Sequence, residues 1–221
     1  VYGNASSIHG AGRTARKALD EARATLARSI GAKPNEILLT SGGTEADNTA
    51  IFGVAAARQH EGKHIITTQI EHHAVLHACA QLEKQGYDVT YLPVNEKGVV
   101  AVEDIQRALR DDTILVTIMY GNNEVGSVQP IAAIGELLQA HTATFHTDAV
   151  QAYGIVPLDV DALRVDLLSV SAHKLNGPKG IGFLYVRTGV KCVNLLYGGS
   201  QERKRRAGTE NVPAAVGFAV A

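Results

Sequence analysis

The feature that most constrains this chain is its alternation of short apolar runs with longer amphipathic stretches. EILLT (36–40), HIITT (64–68), DVTYL (88–92), ILVTIM (114–119), TFHT (144–147), DLLSV (166–170) and GFLYV (182–186) read as strands. Helical stretches near 44–60, 73–85, 102–110 and 130–140 fill most of the gaps between them. Ahead of the first strand, residues 13–30 place Leu19, Ala22, Leu26 and Ile30 on one helical face, with Gly31 as the stop. Strand and helix in alternation predict an α/β fold, a mostly parallel sheet covered by helices in a three-layer α/β/α arrangement with right-handed crossovers. No internal repeat or linker interrupts the pattern.

Composition narrows the class of function. A chain of 221 residues, 45% hydrophobic and 19% charged, can bury a full core, and its formal charge of -1 gives no reason to expect nucleic-acid or membrane-surface binding. The local basic cluster QERKRRAG (201–208) reads as a solvated loop. Two cysteines, Cys79 and Cys192, are too few for a disulfide framework and lack metal-ligand spacing, which implies a reducing compartment. With no signal-peptide pattern and no apolar run long enough to span a bilayer, the default location is cytoplasmic. The chain opens without Met in a loop (1–12), continues as sheet and helices (13–210) and stops within an apolar, helix-like run (211–221), so it reads as part of a longer protein.

In parallel sheets ligands bind beyond the carboxyl ends of the strands, and this sequence puts unusual residues there. TSGGTEADN (40–48) carries Gly42, Gly43 and Thr44 between strand and helix, where free amides and a hydroxyl make an anion site. Alone it equally fits a tight turn capped by Thr44, with Glu45 in the first helical turn. Glu71-His72-His73 follows the second strand. A zinc site ranks low, because adjacent imidazoles do not easily face one ion and no third ligand is read at helical spacing from them; helix capping or solvation is the plainer role for either. Asn123 follows the fourth strand, and Asp148 the fifth, where an apolar setting requires a partner or a neutral acid; an N-cap is the simple alternative. SVSAHKLNGPKG (169–180) ends the sixth strand with Ser171, His173 and Lys174. A lysine at a buried strand edge loses hydration and becomes a better nucleophile, suited to Schiff-base chemistry. Lysine, buried acid and anion cup together fit pyridoxal phosphate.

The motifs GNASSIHGAGR, TSGGTEADN, IEHHAVL, NNEVGSVQPI, FHTDAVQAYG, SVSAHKLNGPKGIGFLY and RRAGTEN, in this order across nearly the whole chain, resemble the cysteine desulfurases, fold-type I pyridoxal-phosphate enzymes related to class V aminotransferases. The resemblance implies that these residues belong to the large, cofactor-binding domain, with the C-terminal small domain lying outside the chain. It implies Lys174 as the cofactor-bonding lysine and proton carrier, and Asp148 as the partner of the pyridine nitrogen. Gln151 falls near the ring oxygen, and His72 is a catalytic group stacked on the ring. Gly43, Thr44, Ser171 and His173 belong to the phosphate site, and Asn123 approaches cofactor and substrate carboxylate. Thr209, in RAGTEN, corresponds to a residue that serves the phosphate of a partner subunit, implying a homodimer with shared sites. GNAS departs from the family at a position usually held by proline.

The implied reaction converts L-cysteine to L-alanine and leaves a persulfide on an enzyme cysteine. That sulfur would pass to an acceptor such as an iron-sulfur scaffold or a tRNA-thiolation enzyme. Neither the nucleophilic cysteine nor the substrate-carboxylate arginine of the family falls within these residues. Cys79 reads as an inert buried thiol and Cys192 matches no catalytic motif. The rival readings are a selenocysteine lyase, a cysteine or cystine lyase or another class V aminotransferase, and, from a different class, a non-catalytic protein that keeps the fold.

Overall fold

The computed structural model describes residues 2–221; Val1, the first residue of the N-terminal loop, lies outside them. Seven strands, β1 (Ile37–Thr40), β2 (His64–Thr68), β3 (Asp88–Leu92), β4 (Thr113–Thr117), β5 (Thr144–Asp148), β6 (Leu167–Ser171) and β7 (Gly182–Val186), form one sheet in the order β1-β7-β6-β5-β4-β2-β3. From β6 outward to β3 every pairing is parallel, and β7 runs antiparallel to both β6 and β1. The carboxyl ends of the other six strands therefore share one edge, which the amino end of β7 joins. There Gly182 is paired with Thr40 on one side and Ser171 on the other. A Cβ at Gly182 would come within 2.4 Å of the Val170 carbonyl oxygen and 2.8 Å of Gly42 Cα, so only glycine lets these strand ends approach so closely.

The sheet is covered on both faces by α1 (Gly10–Arg28), α2 (Gly43–Arg58), α3 (His73–Glu83), α4 (Val102–Ala108), α5 (Ile131–Leu138), α6 (Val160–Leu163) and α8 (Val212–Val220), with α7 (Gln201–Lys204) a single distorted turn. Alternation along the strands decides which core each residue joins. Ile66, Val116, Phe183 and Tyr185 pack with Leu19, Leu26, Ile134 and Phe218 on one face. Their neighbours Ile65, Leu115, Leu184 and Val186 pack with Ile51, Val54, Val75 and Leu82 on the other. Burying both faces explains why these strands read as continuous apolar runs. Phe183 stacks on Phe218 at 5.7 Å and meets Tyr153 edge-on at 5.6 Å, each buried ring contributing about 1.5–3 kcal/mol.

The boundaries differ from the sequence reading where side chains intervene. His9 Nδ1 accepts the Gly12 N–H at 3.1 Å and starts α1 at Gly10, so residues 10–12 are helical rather than loop. Glu36, read as strand, belongs to a 3-10 turn and accepts the amides of Lys33 and Thr188. The basic cluster is only partly a solvated loop: Glu202 is buried against Arg23, and the Arg206 guanidinium pairs with Glu45. Glu202, Arg203 and Lys204 adopt left-handed backbone at φ 45, 56 and 65, which costs about 1–2 kcal/mol per non-glycine residue. No helix among the described residues is long and apolar enough to cross a membrane.

Candidate active site

The segments that follow β1, β2, β4, β5 and β6 each contribute one part of a cavity of about 270 Å³. After β1 the chain turns at Gly42, whose φ of 151 is open to glycine, and enters α2. Gly43 packs so closely that a Cβ would lie 2.7 Å from Val150 Cγ2. Thr44 does not cap the helix as the sequence suggested. Gly42 occupies the cap position, and the Glu45 carboxylate takes the Ser41 N–H at 2.9 Å. The Thr44 side chain is left facing the cavity beside the first-turn amides, which have no intrahelical acceptor.

After β2, the His72 Nδ1 accepts the Ala74 N–H at 3.1 Å and caps α3, while its ring lines the cavity. Capping and cavity roles thus coexist. His73 points elsewhere and stacks on His77 at 5.1 Å. His77 is an imidazole at helical spacing that the sequence reading overlooked, yet among the described residues no group of three His, Cys, Asp or Glu side chains could hold a metal.

Beyond β4, buried Asn122 donates to the Ile70 carbonyl at 3.0 Å and accepts the amides of Glu124 and Val125. This ties the loop to the end of β2 and leaves Asn123 exposed at the cavity wall. Beyond β5, Asp148 is 4% exposed and accepts the Val150 N–H at 2.9 Å, with Gln151 one turn on. Beyond β6, the Ser171 Oγ and His173 Nδ1 share a hydrogen bond of 2.8 Å, and Lys174 sits on a 3-10 turn (Ala172–Leu175) closed by left-handed Asn176. The dehydration expected of Lys174 is not found: it stands exposed at the cavity mouth. Thr209 is exposed and lies outside this cavity. A wider groove of about 1050 Å³ between the N-terminal loop, α1 and residues 200–203 is open and lined largely by surface charges that do not converge on one point.

In and beneath the cavity floor lies a cluster of buried acids, Asp47 and Asp148 lining it and Glu71 behind them, that sequence reading left largely unassigned. Asp47, from α2, lines the cavity at 1% exposure, and its Oδ1 has no hydrogen-bond partner. Helical spacing from Gly43 put it on the buried face, a signal present in the sequence. Burial, then repulsion from Asp148, drives its acidity well down, so its pKa rises. Burial also raises Asp148, opposed by the Val150 N–H and the nearby His72 and Lys174. Glu71 is pushed up to about 8 by burial although the Thr68 hydroxyl and Met119 N–H bond it. His146, linked to Thr117 at 2.8 Å and Ser169 at 2.9 Å, is driven down to about 3 by burial and stays neutral, so it supplies no counter-charge. Of the three acids, Asp148 is the one whose shift is opposed by an amine, that of Lys174. The set fits an anionic, aromatic ligand with a basic ring nitrogen: free amides and hydroxyl at one end, buried acids at the other, and an amine at the mouth.

A family model described as aminotransferase class-V matches residues 1–221. The cysteine desulfurase IscS of Methanosarcina thermophila is 58% identical over 98% of this chain and 54% of its own length. Among solved structures, a NifS-like protein is 42% identical with a TM-score of 0.97, covering 99% of this chain and 60% of that one. A structure titled SspA in complex with cysteine is 43% identical with a TM-score of 0.96, covering 99% and 64%. The chain spans about half the length of the curated relatives it matches.

Proposed function

The chain belongs to the class-V aminotransferase family, and from that premise we propose that it is the cofactor-binding large domain of a pyridoxal-phosphate-dependent cysteine desulfurase. The observation that carries this reading is the convergence of Lys174, Asp148, His72 and Thr44 on one cavity. The cysteine held by one structural neighbour supports the choice of substrate. When bound, the cofactor supplies a conjugated carbonyl and an electron sink for the α-carbon of an amino acid.

Each residue then has a task set by its position. Lys174 Nζ, exposed at the mouth, would hold the cofactor by its carbonyl and would be placed to carry the α-proton of an amino acid. Asp148, buried at the floor, would pair with the ring nitrogen and hold a proton on it. The Gly43 and Thr44 amides, the Thr44 hydroxyl, Ser171 and His173 bind the phosphate. His72 supplies an aromatic wall that its bond to the Ala74 amide keeps oriented, while Gln151 and Asn123 contact the ring oxygen and the substrate carboxylate. Thr209 serves the phosphate of a second copy, in a homodimer.

The products are L-alanine and a persulfide on a cysteine outside these residues. Burial pushes the Cys79 thiol up to about 12 and the Cys192 thiol up to about 11, so neither forms a thiolate acceptor. A cytoplasmic iron-sulfur scaffold or tRNA-thiolation enzyme then takes the sulfur. The test is an absorption spectrum after addition of pyridoxal phosphate, followed by borohydride reduction and peptide mapping. A band fixed by reduction onto Lys174 is expected, with alanine released from cysteine by the holoenzyme. No band, or pyruvate with ammonia as the main products, overturns the reading.

A further inference from the structure

The sharpest departure from ordinary backbone outside the cavity is the succession of left-handed residues Glu202, Arg203 and Lys204, none of them glycine. Such a turn persists only where its surroundings over-determine it. Here the Glu202 carboxylate supplies the constraint, with a side chain only 3% exposed. It accepts Arg23 Nη1 at 2.7 Å, Arg23 Nη2 at 2.6 Å and the Leu39 N–H at 3.0 Å. Arg23 Nη1 also donates to the Ile37 carbonyl at 2.9 Å, so the pair is anchored to α1 and to Ile37 and Leu39 of β1, which leads into the Gly42-Gly43-Thr44 turn. Beyond the turn, Arg206 forks onto Glu45 at 2.8 and 3.1 Å, and the Gly208 N–H returns to Gln201 Oε1 at 3.1 Å. These bonds close the loop one residue before exposed Thr209.

We propose that Arg23 and Glu202 are positioning residues for the cofactor site: their ion pair holds the left-handed turn that fixes where Thr209 leaves the surface to serve a second copy. This rests on the reading of Thr209 as a residue of the partner's cavity. An ion pair that merely stabilised the fold would change the unfolding midpoint without acting through Thr209. One that positions Thr209 must lose its effect when the threonine hydroxyl is gone, and must be replaceable by making the turn easy.

The test is a cofactor titration of the dimeric protein, followed by absorbance, in a double-mutant cycle. Glu202→Gln keeps the acceptor for Leu39 and is expected to weaken cofactor binding about tenfold, whereas in the Thr209→Ala background the same change adds less than about twofold. Lys204→Gly, which relieves the left-handed residue, is expected to bring Glu202→Gln back to within about threefold of wild type. Should Glu202→Gln not fold, Arg23→Lys, which keeps the charge but loses the fork, enters the same cycle. Additive losses in the Thr209→Ala background, or no rescue by Lys204→Gly, overturn the inference. A Thr209→Ala protein with unchanged cofactor affinity overturns the underlying reading of Thr209 and this inference with it.

Discussion

Two buried carboxylate settings in this molecule contrast sharply. Glu202 is saturated: a bidentate guanidinium and a backbone amide surround it, and nothing is left for a ligand. The acids in and behind the cavity floor have no guanidinium bonded to them. Asp47 keeps an orphan oxygen, Glu71 has only neutral donors, and Asp148 has one backbone amide with the Lys174 amine nearby. The same functional group thus does opposite work. Where donors match lone pairs the carboxylate fixes architecture, and where they do not the fold holds a charge deficit that a cationic ligand can fill.

The first way to break this comparison is Arg23→Ala, which strands a buried carboxylate and should cost about 3–5 kcal/mol in denaturant unfolding. Replacing both partners together by Met and Leu should recover most of that loss. At the cavity the order of effects should reverse. Asp148→Asn should leave the cofactor-free protein as stable as before or stabler by under about 1 kcal/mol, while cofactor affinity falls about a hundredfold. A cofactor-free protein that instead loses several kcal/mol would show the floor to be architectural too.

A pH titration sharpens the contrast next. Glu71 is raised from about 4.5 to about 8, so between those values the folded state holds a proton that the unfolded chain has released. Its contribution to stability is fully present below pH 4.5 and is lost as pH rises through 8. The unfolding free energy of wild type relative to Glu71→Gln should therefore decline across that window, and a flat difference would contradict the assignment. The smallest effect belongs to the strained turn: Lys204→Gly should stabilise by about 0.5–1 kcal/mol, the relief of a left-handed side chain less the added entropy of glycine. Thermal unfolding resolves it.

Much of this was legible in the sequence because the signals are local. Seven apolar runs at regular spacing located the strands, and the residues that break the pattern, Thr44, His72, Asn123, Asp148 and Lys174, all lie at one sheet edge. Asp47 was legible in principle, since helical periodicity buries it. The Arg23–Glu202 pair was not, because its partners are 179 positions apart and a basic run looks solvated until its one acid is buried. Nor was the left-handed turn, which no glycine announces. Lys174 lines the cavity by a route the sequence reading did not take: its exposure on a 3-10 turn, rather than strand-edge dehydration, puts the amine at the mouth.

The position of β7 between β1 and β6 has a consequence in time. Among the described residues β1 has no ladder partner other than β7, so residues 37–40 must wait for residues 182–186 before they join the sheet. During synthesis β1 therefore leaves the ribosome well before its partner exists, and the glycine turn that follows it is among the last parts of the cavity to form. Until then the Leu38 and Leu39 side chains lack their final neighbours on both faces. A nascent chain arrested before β7 should thus expose its β1 segment to proteolysis, while one arrested after Val186 should protect it.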